Sequence, residues 1–227
     1  MTPEEKERYL RQMMHPGFRE KHQKRLRGAS VLLAGIGGLG GAIAYGIAAA
    51  GVGRIALVHS GPLAEPDLNR QTLMSESAIG ESRVITAAKR LNEFSRFVKV
   101  EPHDLPITEE TLDPLMEDVD LIIDARHNFP ERRCLNRMSV QRGVPLLFAA
   151  MDGLHAQMAL FMPESTGCLD CLYRDDPPDW DPFGFAVFGA AAHAIGAMAA
   201  MAAVKYLSGY GNVSKNIVTM DMADCTT

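Results

Sequence analysis

Short apolar runs alternate with segments of helical period along most of the chain. The runs Ser30–Ala34, Arg54–Val58 and Leu121–Ile123, and weaker ones near Val98–Pro102 and in "PLLFAAM", are of strand length. Between them lie helical stretches: about Leu39 to Ala50, about Ser82 to Phe94 with Val84, Ile85, Ala88 and Leu91 on one face, the acidic "TEETLDPLMEDVD", and about Pro130 to Arg142. Strands that alternate with helices predict a doubly wound α/β fold, and a bare apolar run such as Leu-Ile-Ile predicts a parallel sheet covered on both faces. The pattern changes from Gln157: "AQMALFMP" reads as a further strand, the start of an antiparallel C-terminal extension. The fold class expected is therefore a Rossmann-like, largely parallel sheet with helices on both faces. It forms a single domain over residues 1–227, with an N-terminal helical arm over 1–29 and a long loop over 172–188.

Composition narrows the classes. Apolar residues make up 47% of the 227 residues, enough for a substantial core, and the net charge of −5 excludes a broad basic face for nucleic acid. The charged start, "MTPEEKERYLRQ", has no apolar region of the signal-peptide kind. "FGFAVFGAAAHAIGAMAAMAAVKYL" has the length of a membrane span, but it is built mostly from Ala and Gly and carries His193, and it reads as a buried core or dimer helix. Four cysteines do not make a disulfide framework, so a reducing cytoplasm is the expected location.

The candidate chemistry starts at Gly35-Ile36-Gly37-Gly38-Leu39-Gly40, a Gly-x-Gly-x-x-Gly run between a strand and a helix. That context lets backbone N–H groups and a helix N-terminus receive phosphate. Ligands of such folds lie beyond the carboxyl ends of the strands, where His59–Gly61, Asp67–Gln71 and Asp124–Asn128 should converge. Asp67, Asn69, Arg70 and Gln71 put a carboxylate, an amide, a guanidinium and a second amide in one loop, and Arg83 opens the next helix. An arginine fork grips phosphate bidentately.

These motifs, in their order and spacing, resemble the MoeB/ThiF group of adenylating proteins, relatives of the ubiquitin-activating enzymes. The resemblance covers nearly the whole chain: "RYLRQ" from Arg8, the glycine loop, "AGVGRIALV", Leu68-Asn69-Arg70-Gln71, Asp124 to Asn128, Cys168-Leu169-Asp170-Cys171 and "IGAMAAMAAVKYLSGYG". It implies a protein that binds ATP and Mg²⁺ and activates the C-terminal glycine carboxylate of a ubiquitin-like or sulfur-carrier protein, or a small-molecule acid, as an acyl-adenylate. It also implies a homodimer in which Arg11 reaches the partner's site.

The chain departs from that pattern at several positions. His59 stands where the resemblance implies a ribose-holding aspartate, Arg83 where it implies a lysine, and His127 where it implies a metal-holding aspartate. Asp67 stands in place of an asparagine. Neutral histidine offers one acceptor, and Mg²⁺ prefers oxygen; the expected metal ligand is therefore Asp124, with or without Asp67. Cys168 and Cys171 form one Cys-x-x-Cys pair where relatives often place four cysteines on Zn²⁺, so they are the only zinc candidates. The 172–188 loop has no cysteine for thioester chemistry, and its Trp180, Phe183 and Phe185 read either as a lid or partner surface or as core and dimer contacts. Two readings remain open: an adenylyltransferase, or a catalytically degenerate member that binds a carrier or metabolite as a scaffold. An NAD-dependent oxidoreductase has only the glycine run in its favour.

Overall fold

A computed structural model describes residues 1–175, 184 and 186–224. Trp180, Phe183, Phe185, Cys225 and most of the 172–188 loop's middle lie outside these residues. Five parallel strands, β1 (Ser30–Ala34), β2 (Arg54–Val58), β3 (Lys99–His103), β4 (Leu121–Asp124) and β5 (Leu146–Asp152), continue into antiparallel β6 (His155–Phe161) and β7 (Val218–Asp221). The order across the sheet is β3-β2-β1-β4-β5-β6-β7. Chain direction across the sheet reverses on either side of β1, so the crevice at the carboxyl ends of β1 and β4 is the topological switch point where such folds bind ligands.

All five residues of β1 are buried. Val31 and Leu33 enter one core cluster, Leu32 and Ala34 the other, as the alternation of a pleated strand requires. The first cluster is covered by α3 (Glu20–Gly28), α4 (Gly38–Ala50), α5 (Arg83–Phe94) and α9 (Gly189–Ser208). The second is covered by α6 (Glu109–Leu112) and α7 (Phe129–Arg142). The arm before the sheet is α1 (Pro3–Arg8), α2 (Leu10–Met13) and α3, and α8 (Leu169–Leu172) is a single turn. The expected acidic helix over 108–120 is shorter than its pattern: α6 ends at Leu112, and Asp113–Leu115 form a 3-10 turn around Pro114, which has no N–H to continue an α-helix.

Helix α4 carries no charged residue and is packed between the sheet and α9. Small residues set that distance. A Cβ on Gly196 would lie 2.6 Å from the Ala42 Cβ and 3.0 Å from the Leu39 carbonyl oxygen, and one on Gly46 would lie 2.6 Å from the Ala200 Cβ. Helix α9 is apolar and long enough to cross a membrane by length and composition, and it is used here as a helix against α4 and β5. Gly51, in the left-handed conformation at φ 90°, ends α4 and lets Val52 and Gly53 turn back into β2.

Replacing Gly196 by leucine is expected to lower the unfolding free energy by about 1–3 kcal/mol through overpacking of α4 against α9. Gly28→Ala, with open space at its Cβ position, should stay within about 0.5 kcal/mol of the parent. Urea titrations of the two variants check both values.

Candidate active site at the carboxyl edge of the sheet

The glycine loop is shaped by backbone contacts. Gly35 leaves β1 at φ 100°, and a Cβ there would lie 2.5 Å from the Ala125 carbonyl oxygen, so the loop after β1 rests directly on the turn after β4. A side chain on Gly40 would run into the Gly35 carbonyl. The N-terminus of α4 thus stands directly behind the loop, with Gly37 at the capping position and no side-chain cap. Its first N–H groups face outward unpaired, an arrangement that favours an anion.

The loop between β2 and α5 closes the other side. The Arg70 side chain lies where a Gly38 Cβ would be crowded at 3.0 Å, and Gln71 reaches within 4.0 Å of the equivalent point on Gly37. Gln71 is buried, and its Oε1 has no partner among the described residues. Asp67 organises this loop: its Oδ1 accepts from Arg70 Nη2 at 3.2 Å, and its Oδ2 accepts from the Ala64 amide at 3.1 Å and lies 3.6 Å from Arg83 Nη1. Arg70 also donates to the Pro66 carbonyl and to Asn69 Oδ1. Arg70 and Gln71 are therefore held against the glycine loop, and Asn69 and Arg83 are tied to the same loop through Arg70 and Asp67. His193, from α9, lies 3.1 Å from the Arg70 carbonyl and supports the loop from behind.

The third segment follows β4. Asp124 is fully buried. Its Oδ2 accepts from Arg132 Nη1 at 2.9 Å and its Oδ1 from the Arg126 amide at 2.9 Å. Burial pushes the carboxyl above its usual range, while Arg132 and the Arg126 amide pull the other way. The Arg126 side chain spans the crevice floor, with Nε on Glu131 Oε2 at 2.6 Å and Nη1 on His59 Nδ1 at 2.6 Å. Asn128 caps α7 by accepting from the Glu131 amide at 2.9 Å, and its own amide donates to the Glu131 carboxylate.

His59 is buried and also receives the Ile36 amide on Nδ1 at 3.3 Å. A guanidinium and an amide can only donate, so Nδ1 is the acceptor and the ring proton sits on Nε2, which has no partner among the described residues. Burial, reinforced by the positive charges of Arg126 and Arg83, holds the imidazole far below its usual range, at about 2. The ring is neutral at physiological pH. It joins the end of β2 to the glycine loop.

A sequence model of the ThiF family matches residues 9–226. This chain belongs to the ThiF family. Protein HesA of Leptolyngbya boryana is 41% identical over 223 residues, which is 98% of this chain and 80% of the relative. The sulfur carrier protein adenylyltransferase of Thermus thermophilus is 35% identical over 218 residues, 92% of this chain and 80% of the relative. Among solved structures, E. coli MccB with ATP superposes with a TM-score of 0.81 at 22% identity, covering 95% of this chain and 70% of that one. PaaA superposes at 0.85 with 19% identity, covering 100% and 73%. The ThiF relationship and the Rossmann-like sheet with its antiparallel C-terminal part agree with the reading from sequence.

Several site residues expected from sequence are engaged with other parts of the chain. Asp124, expected on Mg²⁺, has both oxygens engaged by Arg132 and the Arg126 amide and no exposure. Asp67 is likewise spent on arginines and an amide. No group of three or more His, Cys, Asp or Glu stands together among the described residues; Mg²⁺ in nucleotide sites is held by one or two carboxylates together with substrate phosphates. Cys168 and Cys171 lie 3.8 Å apart, Sγ to Sγ, with no third ligand beside them among the described residues, where structural zinc takes four. His59 faces inward rather than into the crevice. His127, beside Arg126, is exposed, and its imidazole is lowered by partial desolvation and by the charge of Arg126. Arg11, expected to reach a partner's site, lies on α2 and lines the groove along α4 and α9.

Arg126, Glu131 and Arg132 are residues that sequence reasoning missed. Arg126 stood in plain view in "DARHN" as a spacer, and Arg132 lies eight residues after Asp124, one turn into α7.

The unfolded His59 titrates near 6.5, and the folded one at about 2. Its contribution to stability is whole above pH 6.5 and is lost as pH falls from there toward 2, at up to about 1.4 kcal/mol per pH unit. His59→Asn keeps an acceptor for the Ile36 amide. Denaturant titrations between pH 6 and 4 should show its stability falling with a slope shallower by about one proton.

Proposed function

We propose that this protein is an ATP-dependent adenylyltransferase that activates a carboxylate, either the C-terminal glycine of a ubiquitin-like or sulfur-carrier protein or a small-molecule acid. The observation that carries this reading is the crevice itself: the uncapped N-terminus of α4 behind a glycine loop, with Arg70 and Gln71 against that loop and Asn69 and Arg83 tied to them through Arg70 and Asp67. A relative at 35% identity is named a sulfur carrier protein adenylyltransferase, which supports the same chemistry. In this reading the α4 amides and the arginines receive the triphosphate. One carboxylate oxygen of the acceptor attacks the α-phosphorus, and the bond from that phosphorus to the α,β-bridging oxygen breaks. The products are the acyl-adenylate and pyrophosphate. No group is protonated or oxidised, so the protein's task is alignment and charge neutralisation by fixed donors.

The chain would act as a homodimer in the cytoplasm. A groove of ≈ 1140 Å³ runs along α4 and α9 and is lined by Arg11, Tyr45, Phe94, Ala197, Met201 and others. Leu10, Met14, Tyr45 and Met201 are exposed large apolar side chains in α2, α4 and α9 or directly beside them. A second copy on this face would cover them and would place Arg11 at an interface, in keeping with a role in the partner's crevice.

The second reading, a scaffold without ATP chemistry, draws on His59 turned inward and Asp124 sealed by Arg132. Pyrophosphate exchange separates the two. With a carrier protein ending in Gly-Gly, the enzyme should return labelled pyrophosphate into ATP, and Arg70→Ala should lose about 100- to 1000-fold of that rate while its thermal unfolding is unchanged. A folded protein that binds carrier but supports no exchange with any carboxylate would establish the scaffold reading.

A further inference from the structure

Rossmann-type sites ordinarily hold the ribose hydroxyls with a carboxylate at the end of the second strand. His59 does not supply one. Its single acceptor, Nδ1, is taken by Arg126 and the Ile36 amide, and its Nε2 has no solvent access. The carboxylates around the crevice floor are also committed: Asp124 to Arg132, Asp67 to Arg70 and the Ala64 amide, and Glu131 to Arg126 and Asn128.

One strand further out the situation differs. β2 and β3 run parallel with Val58 opposite His103, and the His59 amide donates to the His103 carbonyl at 3.2 Å. Asp104 therefore stands abreast of His59, about 4.8 Å to the side, the spacing of neighbouring strands. Its Oδ1 accepts from the Gly61 amide at 3.3 Å. Its Oδ2 has no partner among the described residues, and the residue is exposed. Arg83 closes on the same corner, with Nη2 donating to the Ser60 carbonyl and Nε to the Gly61 carbonyl, each at 3.4 Å. Asp104 lies within electrostatic reach of that guanidinium. Gly61, at φ 95°, leaves the corner open, since a Cβ there would crowd Arg83 Nη2 at 3.3 Å.

We infer that Asp104 is the sugar-binding carboxylate of this protein, accepting the ribose hydroxyls of the nucleotide opposite Arg83 from the end of the third strand instead of the second. The inference rests on the nucleotide-binding reading given above. Its chemistry is that of a vicinal diol donating to a carboxylate that a backbone amide has already oriented through Oδ1. Replacing Asp104 by asparagine keeps an oxygen for the Gly61 amide but puts a donor where the diol must donate.

Calorimetric titration with ATP and with 2′,3′-dideoxy-ATP tests it. The parent protein should bind ATP roughly tenfold more tightly than the dideoxy nucleotide. Asp104→Asn should bind the dideoxy nucleotide as the parent does and ATP no more than about twofold better. Unchanged dideoxy-ATP affinity reports that the phosphate and base sites remain intact, which a merely structural role for Asp104 would not predict. If Asp104→Asn retains the tenfold preference, or if the parent binds both nucleotides equally, the assignment is overturned while the nucleotide reading stands. A parent protein that binds neither overturns both.

Discussion

The buried carboxylate of Asp124 is the interaction on which the site depends. At zero exposure it would be untenable alone, and Arg132 from α7 compensates it. Its second oxygen fixes the Arg126 amide, and so the path of the turn after β4. From that turn the Arg126 side chain reaches His59 at the end of β2, and His59 reaches the Ile36 amide in the glycine loop. Three strand ends are thereby tied in series by hydrogen bonds, and Arg132 adds a further one to the Ala149 carbonyl of β5. The neutral state of His59 follows from the same arrangement, because a second proton would have to enter beside two guanidinium groups in a buried space.

This series explains how the chain departs from the pattern it otherwise resembles without losing the crevice. A histidine after β2 is a poor acceptor for ribose, but it is a good acceptor for Arg126 and a backbone amide. Arg126 in turn occupies polar capacity that a smaller residue would leave open to water. The crevice is consequently rich in fixed donors, from the α4 N-terminus to Arg70 and Arg83, and poor in free carboxylates. An electrostatic surface of that kind suits a ligand that brings its own negative charge.

The fold was legible in the sequence to a large degree, for identifiable reasons. Ser30–Ala34, Arg54–Val58 and Leu121–Asp124 are largely buried apolar runs, and the helices α4 and α7 end at Gly51 and Gly143, both in the left-handed conformation. Such signals are local. The positions of Gly35, Gly37 and Gly40 were equally readable, because a glycine loop between strand and helix is a matter of chain order. What the sequence concealed was lateral. That Asp104 stands beside His59 depends on the register of β2 with β3, and that Asp124 meets Arg132 rather than a metal depends on how α7 lies over β4. Neither distance is written in any short motif. What a motif offers as a free carboxylate at Asp124 is, in the fold, an acceptor for Arg132 and the Arg126 amide.

The measurement that tests the central claim most directly is calorimetric titration of the folded protein with ATP, with AMP and NAD as controls. An adenylating crevice built on fixed arginines and the α4 N-terminus should bind ATP in the micromolar range and AMP much more weakly, since most of the donors face the phosphates. Absence of ATP binding in a folded protein, or tighter binding of NAD than of ATP, would contradict the account.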